Sequence, residues 1–454
     1  MNGLRLKAQE FDTERILPPP HLRLWFPTIV ALIICFGYIL CGRGFAGLHI
    51  PSVPIYIGEV LLIISFIYFF GDFFKYGVNR FQALQLLVFI GFVFLLVKDL
   101  INEHHETISM LRDSATFYYM LFLFLFSNYR GSLVFAKIVE YLSKYHLLFG
   151  LSLFAHALFE PFFSYFLVLG DDFYGLFFMP GCMVPPLATL IIVILTEKAT
   201  SRKLTLMELF NIGILFSAII MTQSRGAILG ALVALGVYIV FLSKFRVRFL
   251  SLLLLGTFFI VVPIYFSLPT LHDFQERLFV NYERNVFDFL HSEDMLKAKF
   301  RALVDPKGDE YKGATGEGRI KWWKAVIEDN KSSPETFLLG QGFGQNLGEA
   351  INYGKHTVRG AHNAWINIFG WTGLVGVVLY AIFFLTVFRF FFFARRQLDA
   401  NDHPDKILAC NTALVFLTAV LVTTMFDNSL SGPAMVIPLY VYLGSAASVI
   451  LSLR

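Results

Sequence analysis

The sequence predicts an all-α, polytopic membrane protein of about twelve transmembrane helices carrying one large helical loop on its outer face. Three observations predict it. Apolar residues make up 56% of the 454 positions, with 52 Phe and a mean hydropathy of +0.65. They fall in repeated continuous runs of about 20 residues, the length needed to cross the hydrocarbon core as a helix. The runs do not alternate, which excludes a membrane β-barrel.

Taken in order, the spans lie near 25–41, 53–70, 81–97, 114–127, 145–165, 185–197, 206–222, 226–243, 249–267, 371–393, 407–425 and 433–451. The fourth and sixth are short. Residues 1–24 are polar, contain Pro18-Pro19-Pro20 and form an N-terminal tail without the features of a signal peptide. The chain thus divides into the tail at 1–24, helices 1–9 over 25–267, a loop or cap over 268–364, and helices 10–12 over 365–454.

Orientation follows from lysine and arginine. One set of connections, including both termini, carries twenty of them, from Arg5 to Arg454. The short connections of the opposite set carry four: Arg43, Lys98, Arg112 and Arg225. The basic set faces the cytoplasm, so both termini are cytoplasmic and the span number is even. Gln223-Ser224-Arg225, the 97-residue loop 268–364 and Asp427-Asn428 then share the outer side. No ATP is available there, and the chain has no GxxxxGK[ST] loop. Any group transfer on that side needs a substrate that arrives activated.

The long loop holds thirteen basic and fourteen acidic residues, which excludes a polybasic lipid-binding segment. Residues 274–301 carry an amphipathic helical pattern. Residues 317–329 predict a second helix, with Ile320, Trp323 and Ile327 on its apolar stripe. Ser333-Pro334-Glu335 is a helix start and Gly340 a stop. Such signals predict a folded cap.

Several residues there carry chemistry. Arg225 sits between two spans almost without a loop, a depth at which an arginine has a partner or substrate, or else snorkels to water. Arg319, in Gly318-Arg319-Ile-Lys-Trp322-Trp323, either stacks on its tryptophans, faces a phosphate, or lies on an interfacial amphipathic helix. Gly340-Gln-Gly342-Phe-Gly344 is a turn whose amides can approach an anion. His362 is a candidate general base. Gly370, Gly373 and Gly376 allow close helix packing. Asp427 orients His362, pairs with an arginine, or simply ends a helix. His104-His105, between Glu103 and Glu106, is a solvated loop. The four cysteines have no ligand spacing, and no metal site or cofactor is expected.

In their order, Ser224-Arg225-Gly226, a large outer loop, Arg319 with its Trp pair, Gly340-x-Gly342-x-Gly344, and His362-Asn363 leading into a glycine-rich span resemble the O-antigen ligase and Wzy-type polymerase superfamily. The resemblance covers roughly residues 205–430. It implies a GT-C-like membrane glycosyltransferase in a bacterial inner membrane, acting on the periplasmic side. Its donor is an undecaprenyl-diphosphate-linked glycan; its acceptor is a lipid-anchored sugar such as lipid A core for a ligase, or a carrier-linked repeat unit for a polymerase. It implies Arg225, Arg319 and His362 as catalytic residues, and Ser224, Trp322, Trp323, Gly342, Gly344, Asn363 and Asp427 as substrate-binding. The chemistry expected is inverting and metal-independent, with nucleic acid excluded as a partner and a monomer sufficient. The competing class is a lipid-linked oligosaccharide transporter. Against it stands the scarcity of ionisable residues within the spans, His156 and Glu160 excepted.

Overall fold

The computed structural model describes residues 20–49, 55–102, 107–159, 163, 175–199, 203–222, 224–242, 316–348, 360–398, 404–430 and 432–452. Among them the regular structure is helical: α1 (Pro20–Leu32), continued by wide π turns over Ile33–Ile39, then α2 (Arg43–Ala46), α3 (Ile57–Tyr76), α4 (Arg80–Asn102), α5 (Thr107–Asp113), α6 (Ala115–Tyr118), α7 (Met120–Phe126), α8 (Gly131–Lys144) and α9 (His146–Leu158). There follow α10 (Val184–Lys198), α11 (Leu206–Met221), α12 (Arg225–Val237), α13 (Gly316–Asn330), α14 (Pro334–Leu339), α15 (Ala364–Gln397), α16 (Pro404–Thr424) and α17 (Pro433–Leu451). The expected ninth span at 249–267, the helix at 274–301, His104, His105 and Glu160 lie outside the described residues.

Among the described residues five helices are long and apolar enough to cross a membrane: Arg80–Ile101, Arg225–Leu242, Ala364–Gln397, Pro404–Thr424 and Pro433–Leu451. With the shorter apolar helices around them they make a multi-pass membrane protein. Their burial sorts them. Within the bundle, 83% of the α16 window and 89% of the α17 window are buried, against 28% for α4. The first two are therefore the central helices, and α4 presents most of its apolar surface outward, as lipid-facing helices do. Helix α10 is buried from Val184 through Thr196 and packs beside α16. Helix α12 packs along α16 closely, because a Cβ on Gly230 would stand 2.6 Å from the Ala419 carbonyl oxygen and from Thr423 Oγ1. Small residues at such a contact let two backbones approach.

Local signals account for several starts and stops. Thr205 and Glu208 close a reciprocal capping box on α11: Thr205 Oγ1 accepts the Glu208 N–H at 3.2 Å and Glu208 Oε2 accepts the Thr205 N–H at 2.9 Å. Ser333 Oγ accepts the Thr336 N–H at 3.1 Å to start α14, and Gly340 ends it at φ 75°.

The structure differs from the sequence expectation in three places. Residues 131–144, expected as a basic connection, form the amphipathic helix α8. It buries Val134, Phe135, Ile138, Val139 and Leu142 and leaves Lys137 paired with Glu140 at 2.8 Å on its exposed face. Residues Ala115–Phe126 meet it at 102°, and Ser448 of α17 fills the corner, accepting the Ser132 N–H at 2.9 Å. The tenth span begins at Ala364 rather than 371, because Asn363 caps it: Asn363 Oδ1 accepts the N–H groups of Trp365 and Ile366 at 2.9 and 3.2 Å. The buried stripe of α13 is Trp322, Val326 and Asn330, while Ile320 is half exposed to its surroundings. Docking onto α15 decides the stripe, through Asn330, whose side-chain amide donates to the Phe369 carbonyl.

Candidate functional site

The site is built on a turn that joins the two central helices. Residues 425–430 follow α16 toward α17, and the backbone carbonyls of Met425 and Phe426 accept hydrogen bonds from Asn363 and Arg319. Asn363 Nδ2 donates to the Met425 oxygen at 2.8 Å. Arg319 Nη1 donates to the Phe426 oxygen at 2.9 Å. A side chain on Gly226 would collide with the Cβ of Phe426, so the start of α12, with Arg225 exposed beside it, abuts the same turn. Ser224 is the N-cap residue of α12 and makes no side-chain cap bond. Asp427 follows; its Oδ1 accepts the Asn428 N–H at 2.7 Å. Three segments far apart in sequence thus meet at one turn at one end of the bundle.

His362 stands where they meet. Its φ of 50° makes it the one non-glycine residue with positive φ among those described. A residue held there costs energy that its surroundings must offset. Those surroundings are visible. Trp322 sets its ring edge-on to the imidazole, centroids 6.0 Å apart at 84°. Trp323 Nε1 donates to the Ala361 oxygen at 2.7 Å, one residue before it. Asn363 caps α15, one residue after it. Burial first, then the Arg319 guanidinium, hold the His362 imidazole below its ordinary value of 6.5, and the Asp427 carboxylate pulls it part of the way back. The histidine is therefore poised neutral near pH 7, the form in which it accepts a proton.

The two tryptophans have structural bonds of their own. Trp322 is buried and donates Nε1 to the Leu347 oxygen at 2.8 Å. Together with the Trp323 bond, this fixes the second half of the cap around His362.

The glycine-rich turn has a second role. The N–H groups of Gln341 and Gly342 donate to the Gly370 and Trp371 carbonyls at 2.9 and 3.0 Å, and the Phe343 N–H donates to Asp99 Oδ2 at 2.8 Å. Those carbonyls lie one turn before Gly373, where α15 leaves helical geometry at φ 60°, ψ −160°. The turn satisfies the backbone of a broken helix and pins it to the end of α4, where Lys98 Nζ pairs with Asp99 at 3.0 Å. The amides of 341–343 are spent on protein acceptors in this arrangement. Gly342 and Gly344 thus stand in a brace behind the site, whereas Arg225, Arg319, His362, Asn363 and Asp427 stand around the turn.

Sequence reasoning placed the Asp427-Asn428 connection on the outer side but missed the acceptor carbonyls of Met425 and Phe426, the part Asn428 plays, Asp99 and Asn367. Asn367 follows Asn363 by one helical turn, a visible spacing; backbone acceptors such as Met425 and Phe426 leave no mark in side-chain identity. Among the described residues no group of three or more His, Cys, Asp or Glu side chains converges as a metal ion requires.

No curated protein matches the chain. Residues 210–381 match the family described as O-Antigen ligase (Wzy_C), a stretch that holds Arg225, Arg319, His362 and Asn363. That segment, less than half of the chain, is similar to the O-antigen ligase family.

Proposed function

We propose that this protein transfers a glycan from an undecaprenyl-diphosphate carrier to an acceptor sugar hydroxyl, as an O-antigen ligase does, on the periplasmic face of a bacterial inner membrane. The observation that carries the reading is the convergence of Arg225, Arg319, His362 and Asp427 on the 425–428 turn, within and beside the matched segment.

The chemistry follows from charge. The carrier diphosphate leaves with the electron pair of the anomeric C–O bond. Arg319 has five N–H donors and uses one on Phe426, so its fork still has donors for a phosphate. Arg225, exposed at the head of α12, supplies a second cation. His362 takes the proton of the acceptor hydroxyl as its oxygen forms the new bond to the anomeric carbon, a contribution of about 10²–10⁴ in rate. Attack from the face opposite the diphosphate inverts the anomeric centre. No divalent ion is required to neutralise the leaving group where two guanidiniums do so.

The test is transfer by the purified, reconstituted protein from an undecaprenyl-diphosphate-linked glycan, with EDTA present. Lipid A core and a second carrier-linked unit are offered separately. One discrete addition to lipid A core supports a ligase. A ladder on the carrier would make it a polymerase. Flipping of the donor without any glycosidic product, or undiminished turnover by a folded His362→Ala variant, overturns the reading.

A further inference from the structure

Asn367 is buried, 1% exposed, one helical turn inside α15. Its Oδ1 accepts the Ala361 N–H at 2.7 Å, and its Nδ2 donates to Asn428 Oδ1. The Asn428 N–H in turn donates to Asp427 Oδ1 at 2.7 Å. Three hydrogen bonds therefore run from the residue before His362 to the carboxylate that acts on His362. The space is closed around them: a Cβ on Gly360 would stand 2.8 Å from Asn367 Nδ2 and 2.9 Å from Asn428 Nδ2.

This bridge has a job that a generic buried amide lacks. His362 is held at φ 50°, and a left-handed histidine reverts to an ordinary conformation unless both flanks are tied. Asn363 ties the flank that follows. Asn367 ties the flank that precedes, by accepting the Ala361 N–H on its Oδ1. The position needs an amide. Its oxygen must accept from Ala361 while its nitrogen donates to Asn428; leucine supplies neither bond, and a carboxylate supplies the first alone.

We propose that Asn367, acting through Asn428, is a positioning residue for His362: the two amides lock the Ala361–Asn363 segment to the Asp427 turn and so hold the imidazole in the place and orientation of a general base. The inference rests on the reading of His362 as that base. Asn367 itself touches neither donor nor acceptor. The charged groups facing His362 are Arg319 from α13 and Asp427 from the turn, and the Trp322 ring closes a third side.

The experiment is a double-mutant cycle of Asn367→Leu, Asn428→Ala and the pair, read as kcat, KM and the acid limb of kcat/KM, with thermal unfolding in detergent alongside. Expected is a fall in kcat of about 10- to 100-fold at nearly constant donor KM, since a displacement on the order of 1 Å costs that much. The double variant should lose no more than the worse single one, because both break one bridge. The acid limb should move up, toward the ordinary imidazole value, as the released ring gains water. An acid limb that stays in place or moves down, or losses that multiply, overturns the inference. If Asn367→Leu does not fold, Asn428→Ala, at a half-buried position, carries the same readouts. The parent reading is separated by His362→Ala. Full activity of that variant removes the base itself, whereas an inactive His362→Ala beside wild-type-like bridge variants removes only the positioning role.

Discussion

Arg319 Nη1 lies 2.9 Å from the backbone oxygen of Phe426, and this bond joins the cap helix α13 to the turn between the two central helices. A guanidinium can hold a carbonyl with one edge and present the rest of its fork to a diphosphate. Lysine has three donors at a single point but no planar fork to span the two acceptors. Arg319→Ala is expected to lower kcat by about 10²–10³, the usual loss for one donor aimed at a developing anion. Arg319→Lys should recover no more than a small part of it. A transfer assay at saturating donor checks this; a lysine variant near wild-type activity would mean that charge alone, without the Phe426 bond, is what counts.

What the sequence revealed here was local. The helix expected at 317–329 is Gly316–Asn330. Ser333 and Gly340 do at the ends of α14 what their side chains predict. His362 and Arg319 were visible as polar residues in a greasy chain. The partners were not. The Phe426 oxygen is an acceptor that any residue would carry. Gly340, Gly342 and Gly344 have positive φ, as a tight turn implies, yet whether their amides meet an anion or a protein carbonyl depends on where α15 breaks. That break is at Gly373, one of three evenly spaced glycines that periodicity alone could not rank. Asp99, whose carboxylate holds Phe343, lies 244 residues away in sequence.

The electrostatics of His362 give a signed prediction. Burial and Arg319 lower its proton affinity, and Asp427 raises it. The acid limb of kcat/KM reports that group in the free enzyme. Asp427→Asn removes the raising charge, so the limb should move to lower pH. Arg319→Gln removes a lowering charge, so its residual activity should show a limb at higher pH. Both shifts should shrink as ionic strength rises, as far as solvent reaches the half-buried ring. Profiles measured at two salt concentrations test both signs, and shifts in the reverse directions would mean that another group governs the limb.

The backbone of His362 gives a second, independent check. At φ 50° an alanine carries a penalty of about 1–2 kcal/mol that a glycine escapes. Both substitutions remove the imidazole, so neither should turn over substrate. They should part in stability: His362→Gly is expected to unfold at a higher temperature than His362→Ala, by about 1 kcal/mol in free energy. Equal melting temperatures would mean that the residue relaxes out of the left-handed region once its ring is gone. That result would place the origin of the strained backbone in the Trp322 contact and not in the hydrogen bonds on either side.

Two glycines make the last prediction a matched pair. Gly77 has φ 69° and ψ −171°, and Gly373 has φ 60° and ψ −160°. Both occupy a region closed to side chains, so alanine at either pays a similar backbone cost, about 1–3 kcal/mol. Their surroundings differ. A Cβ at Gly77 meets nothing within 4 Å, whereas at Gly373 it would stand 2.5 Å from the Gly340 nitrogen and from the Leu338 carbonyl. Those atoms belong to the brace that holds α14 and the glycine-rich turn against α15. Gly77→Ala is therefore expected to lower thermal stability modestly and leave kcat alone. Gly373→Ala should lower stability further and also lower kcat, because the cap that carries Arg319 and Trp322 is seated on that brace. Side-by-side melting and transfer measurements decide it. Equal stability losses with unchanged turnover in both would mean that the cap keeps its seat without the brace, and that the Asn363 and Arg319 bonds to the 425–426 turn suffice to hold it.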